Sequence, residues 1–161
     1  MLTPDMKLAL RTVTRLDEAL ALAPLLDASA AEFHAQCSDD PYPEGASERF
    51  LRAHLAHPAS VLIVAEEQGA PPASRAWGVC VTGPFTDPLL GTLQPMVLVL
   101  HVDPTLRHRG VARELVDQAD SLLRSRGYPT LAARAGHNDD ALISMGERWG
   151  FVRSWELMVR E

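Results

Sequence analysis

Two cysteines, Cys37 and Cys80, are all that 161 residues contain. That is too few for a disulfide framework, and no Cys/His spacing of the zinc type occurs, so no metal is expected. A reducing compartment suits free thiols, one at the end of an expected helix and one in an expected buried strand. No apolar run approaches the roughly 20 residues that cross a bilayer, and Met1–Asp5 has no secretory character. A cytoplasmic protein without a membrane partner is therefore expected. Positive charge is also scarce: 15 Lys and Arg face 21 Asp and Glu, a net charge of -6. Without a basic stripe nothing can track a nucleic-acid backbone. Only one of those cations is a lysine, Lys7. Internal repeats, low-complexity linkers and a serine nucleophile elbow are all missing. What remains is ordinary for a folded protein, 47% hydrophobic and 22% charged. The length suits a single domain over residues 1–161 with a sizeable core.

One stretch, Pro95 to Leu123, organises the chain. Met96 to Leu100 is a continuous apolar run of strand length, ended by Asp103-Pro104. The lack of alternation implies burial on both faces, as in a sheet covered by helices. Val111, Ala112, Leu115, Ala119, Leu122 and Leu123 then recur at helical spacing, and Gly127 supplies the stop. Between strand and helix stands Arg107-His108-Arg109-Gly110-Val111-Ala112. A helix start exposes unpaired N–H groups and the positive end of the dipole. Gly110 and Ala112 let a bulky anion approach the backbone. Arg107, Arg109 and Arg113, with His108, place a cationic cluster in an acidic chain. A phosphate or diphosphate seat is the natural reading. The plainer one is tight strand–helix packing with solvated arginines.

Lys7 to Val13 reads as an edge strand. Thr14 or Asp17 caps the next helix, whose apolar face is Leu20, Leu22, Leu25, Leu26, Ala30, Ala31 and Phe33; Pro24 should kink or split it. Ser38 to Gly45 is a loop, and Ser47 caps a helix from Glu48 to about Ala56. Ser60 to Ala65 and Trp77 to Thr82 are strands joined by a loop over Gln68 to Ser74. Gly83 to Gln94 reads as loop. After the central helix come a strand at Thr130 to Ala135 and a helix capped by Asn138, with Leu142, Met145 and Trp149 on one face. Phe151 to Val159 is the closing strand. The order β-α-α-β-β-β-α-β-α-β is a mixed α/β layout.

The pattern Arg107, Gly110, Ala112, with Val102-Asp103-Pro104 and a strand before it, resembles the acetyl-CoA-binding signature of the GNAT family of N-acetyltransferases. That signature is Arg or Gln, two residues, Gly, one residue, then Gly or Ala. Asn138 to Ala141 through Trp149-Gly150-Phe151 resembles the helix and Gly-Phe junction after that family's fifth strand. Phe50 to Val81 fits its N-terminal half. The resemblance implies the GNAT fold, a central twisted mixed sheet with helices on both faces. It implies direct transfer of an acetyl group from acetyl-CoA to a primary amine, on a small molecule or a protein. The chain departs in three places. The family's Tyr four residues before the Gly of Gly-Phe falls here on Gly146, so the usual acid is missing. The spacing from Asn138 to Gly150 is one residue longer than usual. Only one strand fits after Phe151 where many members place two. A second subunit is therefore expected to pair that sheet edge, giving a homodimer.

The resemblance also implies roles. N–H groups from Leu106 to Ala112 hold the diphosphate, with Arg107, His108, Arg109, Gly110, Val111 and Ala112 around it. Leu100, His101 and Val102 offer main-chain atoms to the pantetheine arm, and Asn138 bonds the arm or only caps its helix. His101 interrupts the apolar strand just before the turn and is the candidate base, with a pKa suited to proton transfer. The alternative is a histidine turned into the helical layer or to solvent, because the strand's phase is open. His137 is the second candidate base and Ser144 a substitute acid; surface positions are the plain reading of both. Glu32 and His34 line the acceptor side or merely a solvated helix face. Asp39, Asp40 and Glu44 suit a cationic amine or belong to a solvated loop. Two other functions stay open: a catalytically weak acyl-CoA-binding sensor module, and an α/β domain whose turn seats a different nucleotide.

Overall fold

The computed structural model describes residues 6–71, 74–154, 158 and 160. Along the chain run β1 (Leu8–Thr12), α1 (Leu16–Cys37), α2 (Ala46–His54), β2 (Leu62–Glu67), β3 (Gly78–Thr86), β4 (Leu93–Val102), α3 (Val111–Ser125), β5 (Ala132–Ala133) and α4 (Asp140–Arg148). A single 3₁₀ turn, Pro104–Leu106, joins β4 to α3. The strands form one sheet in the order β1-β2-β3-β4-β5, antiparallel except for the β4–β5 pair. Helices cover both faces. On one, α3 buries Val111, Leu115, Val116, Ala119 and Leu123 against Ile63, Ala65, Cys80 and Val97. On the other, Ala19, Ala23 and Leu26 of α1 and Leu51 of α2 meet Leu62, Val64, Val79 and Val81. Alternate β2 residues go to opposite faces, as a period of two requires. A helix the length of α3 is marginal alone in water. Burial of its large apolar side chains, each worth roughly 1.5–3 kcal/mol, holds it in place.

Several local expectations fail for identifiable reasons. Pro24 lies on the exposed side of α1 and does not split it, because the inner face beside it, Ala23 and Leu26, is packed. Neither Thr14 nor Asp17 caps α1. Arg15 is the N-cap, without a side-chain bond, and Asp17 pairs with it at 2.7 Å. Ser47 does not cap α2 either; Gly45 does, at φ +67°, and Ser47 lies in the first turn with its N–H donating to Asp27 of α1 at 2.9 Å. Asn138 stands one residue too early: Asp139 caps α4, accepting from the Leu142 N–H at 2.9 Å. Gly83 to Gln94 is not all loop, since β3 runs to Thr86 and β4 starts at Leu93. Pro84 pairs with Pro95 beyond the β2 and β5 ladders, so their missing N–H groups cost little. The strand expected at Thr130 to Ala135 shrinks to Ala132–Ala133. Phe151 to Ser154 form no strand. Residues 155–157 and 159 of the expected closing strand lie outside the described residues, and so does the edge expected to pair a second subunit. Cys37 ends α1 exposed and Cys80 is buried, as anticipated.

β4 is not buried on both faces along its length. Its register with β3 runs Val99↔Val81 and then Val97↔Thr82, leaving Leu98 without an opposite number. One inserted residue reverses the side-chain phase. Val97, Leu100 and Val102 face the α3 side, whereas Val99 faces α1 and α2. Gly83 makes the room: a Cβ there would lie 2.7 Å from the Phe50 ring and 2.8 Å from Leu98. Beside the bulge, the fully buried Thr82 hydroxyl donates to the Ala59 carbonyl and accepts from the Val61 N–H, both at 2.9 Å. Thr82→Val leaves both backbone groups unpaired in the core. Its unfolding free energy falls by about 2–4 kcal/mol in chemical denaturation; a loss under about 1 kcal/mol contradicts this account of the bulge.

Candidate active site

The chain leaves β4 through a tight series of turns. The Asp103 carboxylate accepts from the Thr105 N–H at 3.0 Å and from its hydroxyl at 2.5 Å. Those bonds, together with an ion pair to Arg75, hold it below the usual carboxylate range. Arg75 lies over the Trp77 ring, 4.0 Å from its centroid. Leu106 is buried beneath the turn, while Arg107, His108, Arg109 and Gly110 are exposed. His108 at φ +63° and Gly110 at φ +83° both adopt the left-handed conformation, and α3 begins at Val111.

N–H groups from His108 to Arg113 donate to no backbone carbonyl among the described residues. The first amides of α3 have none to reach, and Gly110 brings no side-chain cap. A Cβ on Gly110 would meet nothing within 4 Å, so the approach is open. Consecutive amides around two left-handed residues make a concave, positively polarised surface, strengthened by the helix dipole. It has the chemistry to hold a diphosphate. Two amides of the expected span are already engaged: those of Leu106 and Arg107 donate to the Asp103 and Pro104 carbonyls, at 2.8 and 3.4 Å. Arg107 also turns its Nε back to the Val102 carbonyl at 3.2 Å. It therefore ties the turn to β4 and uses the carbonyl that Val102 was expected to offer. Arg113 is drawn to Asp117 at 3.5 Å. Arg109 has no ion pair among the described residues.

β5 pairs with β4 only at Ala132↔Met96 and Ala133↔Val97. Beyond that the two diverge. The Arg134 guanidinium lies 5.0 Å from the Phe33 ring of α1. A Cβ on buried Gly136 would sit 3.6 Å from Gln36 and 3.9 Å from the Cys37 sulfur, so the turn abuts the end of α1. Leu98 to Val102 thus has β3 on one side and, among the described residues, no strand on the other. Main-chain groups on such an edge can pair with an extended ligand. The edge leads through one tight turn to the open amides.

His101 is half-buried and stands opposite Val79, which packs under α1 and α2. The bulge thereby settles its phase: it faces α1, away from α3. Burial, and then Arg107, push the imidazole below its ordinary pKa, with Glu32 and Asp103 opposing. At pH 7 it is neutral and able to take a proton. His137 and Asn138 are exposed in the turn before α4, and Ser144 is exposed on α4. The charges that act on His101 do not include His137. Gly146 lies within α4, and neither tyrosine replaces the missing phenol. Tyr42 donates its hydroxyl proton to Asp27 at 3.0 Å, and Tyr128 packs against the α3 core.

Leu100 to Val102 and Arg107 to Ala112 are joined by one tight turn, while His137 and Asn138 lie in the turn before α4 and Ser144 on α4 itself. Asp27, Tyr42, Arg75 and Leu98 escaped the sequence reading. A glycine inside a strand-like run, Gly83, was the available signal for the bulge; nothing local marks Asp27. Among the described residues no group of three or more His, Cys, Asp or Glu could hold a metal. No described helix is long and apolar enough to cross a membrane. A groove of about 370 Å³ at the other end of the sheet, lined by Thr12, His57 and Arg126 among others, contains none of these candidate site residues. It adjoins the C-terminal end of α3, where the dipole disfavours anions.

A family model described as the acetyltransferase (GNAT) family matches residues 24–151. No curated protein sequence matches significantly. Among solved structures, an aminoglycoside N-acetyltransferase in complex with CoA is similar at 17% identity and TM-score 0.69, covering 99% of this chain and 98% of the other. A predicted acetyltransferase with acetyl-CoA from Clostridium acetobutylicum is similar at 14% identity and TM-score 0.69, with 96% of each chain covered. A ribosomal-protein-alanine N-acetyltransferase from Brucella melitensis biovar Abortus 2308 follows at 18% and 0.62, covering 96% of this chain and 99% of the other. At such identities the likeness establishes a shared fold.

A Cβ on Gly146 would lie 3.8 Å from that of Phe151, an ordinary contact, on helical backbone. Gly146→Ala therefore stabilises the protein by about 0.5–1 kcal/mol in denaturant titration. A destabilised variant would mean that α4 is held differently.

Proposed function

Because the chain belongs to the acetyltransferase (GNAT) family, we propose that it moves an acetyl group from acetyl-CoA directly to the amine of a small cationic molecule. One observation carries this reading: unpaired amides at the start of α3 stand one tight turn from an unpartnered β4 edge, with a neutral histidine beside it. His108 to Arg113 hold the diphosphate through the backbone, Arg109 adds charge, and Leu98 to His101 offer the pantetheine arm a strand to pair with. Acetyl-CoA supplies the activated acyl group. Aminoglycoside acetyltransferases among the similar structures support a small-molecule acceptor. Exposed Asp39, Asp40 and Glu44 next to α1 support a cationic one.

Energetics say which group matters. An alkyl ammonium with pKa near 10.4 must lose a proton before attack, at about 4–5 kcal/mol at pH 7. His101 accepts that proton, directly or through water. The new amide bond forms as the thioester C–S bond breaks. Protonating the departing thiolate, with a thiol pKa near 8.5, is worth only about 2 kcal/mol at pH 7. Solvent water meets that need, so Gly146 is tolerable where a tyrosine is usual. Holding both reactants in line supplies much of the remaining acceleration.

Incubation with acetyl-CoA and a panel of di- and polyamines, aminoglycosides and peptide N-termini, followed by free-thiol detection, tests this. Release is expected with the small cationic amines. CoA binding without release from any amine would favour the sensor reading, and no preference for CoA over ATP would remove both. For the base, the sign of the pH effect is fixed. The imidazole is depressed, so it stays neutral at pH 7 and protonates only below its ordinary value. The acid limb of kcat therefore has its midpoint below 6.5. His101→Gln lowers kcat roughly 10²–10⁴-fold and abolishes that limb. A variant that keeps both rate and limb excludes His101 as the base.

A further inference from the structure

The geometry points to Asp27 and Tyr42 as positioning residues for the amine acceptor, an inference that rests on the acetyl-transfer reading. Residues 38–45 connect α1 to α2. At one end, Gln36 and Cys37 abut Gly136, where the chain has left β5. At the other, Phe50 of α2 seats against Leu98 and Gly83 at the bulge of β4. The connection thus leaves α1 at the mouth of the β4–β5 split and enters a helix that packs on the bulge, on the face that carries His101. It is the lip under which an amine would reach that histidine.

This lip is tied down by its backbone and by one phenol. Asp27 of α1 presents a single oxygen, Oδ1, that accepts from the Tyr42 hydroxyl at 3.0 Å and from the Ser47 N–H at 2.9 Å. Ser47 lies in the first turn of α2, whose N-cap Gly45 has no side chain to give. A carboxylate from another helix therefore supplies the missing cap and meets the positive end of α2. Burial alone would raise the Asp27 carboxyl. Its bonds to Ser47 and Tyr42, with Arg49 nearby, outweigh that and hold it low. His34 Nε2 lies 3.0 Å from the Asp40 carbonyl, and its ring meets Tyr42 edge-on at 5.9 Å. Arg49 donates to the Glu44 carbonyl at 2.6 Å. Asp40 and Glu44 are thus held through their carbonyls. Among the described residues the carboxylates of Asp39, Asp40 and Glu44 have no ion pair, and they stay available to a cation. Asp27 and Tyr42 touch none of the reacting groups; they fix where those carboxylates stand.

Steady-state kinetics of the full chain test this, with Tyr42→Phe, Asp27→Ala and the double variant. The amine is the best acceptor found for the wild type. KM for that amine rises about 3–10-fold in Tyr42→Phe, the worth of one hydrogen bond, and at least as much in Asp27→Ala, which loses two. KM for acetyl-CoA and the thermal shift given by CoA change less than about twofold. Because both residues act through one oxygen, the double variant is no worse than the weaker single one, a non-additivity that separate structural effects would not produce. Circular dichroism and melting at the assay temperature verify that the variants are folded. If the wild type is active and the amine KM is unchanged, or rises in step with that for acetyl-CoA, the inference fails while acetyl transfer stands. A wild type that releases CoA to no amine overturns the reading beneath it, and the inference with it.

Discussion

A single surplus residue, Leu98, governs the middle of this molecule. It has no opposite number on β3, and the phase of every β4 side chain after it is reversed. Met96 and Val97 pair with β5; the residues after Leu98 do not. The sheet therefore opens between its last two strands while staying closed elsewhere. An unpaired strand edge is normally a hazard, since its main-chain groups invite another chain. Here it leads, through one tight turn whose own groups are paired, to a helix start whose amides have no backbone partner, so open main-chain groups stand on both sides of the turn. Thr82, Gly83 and Phe50 hold the bulge from behind.

The same inserted residue sets the face on which His101 stands. Without it His101 would share a face with Val97, under α3. With it the imidazole faces α1, beside Glu32, Asp103 and Arg107. Its half-burial and the neighbouring guanidinium both disfavour the imidazolium, which suits a proton acceptor at neutral pH. Arg107 then has two jobs. Its Nε secures the turn before α3 to the end of β4, and its charge adds to burial in keeping His101 neutral. Absence of a phenol at Gly146 fits the proposed transfer, in which deprotonating an amine would be the larger of the two proton costs.

What could be read from the sequence was what short-range physics decides. The helix start at Val111 and its open turn were legible because Gly110 must take a left-handed φ and the apolar period begins at once after it. Amphipathic α3 and the buried segments of β2 and β3 followed from periodicity. Boundaries failed where neighbours in space decide. Pro84 and Pro95 looked like loop residues, yet each sits where its strand lacks a partner on the far side. Three possible caps in a row, Asn138, Asp139 and Asp140, left the α4 start ambiguous by one residue. The phase of His101 was unreadable because a bulge has no strong local mark. The cap of α2 comes from Asp27, across a loop, and no local rule could find it.

The account stands on the open main-chain groups on either side of the turn from β4 into α3, and an ¹H–¹⁵N NMR titration with CoA measures them most directly. Amide shifts should concentrate at Leu98 to His101 and at His108 to Arg113, and should be small around Thr12, His57 and Arg126 at the opposite end of the sheet. Shifts centred on that opposite end, or a silent helix start in the presence of saturating CoA, would contradict it.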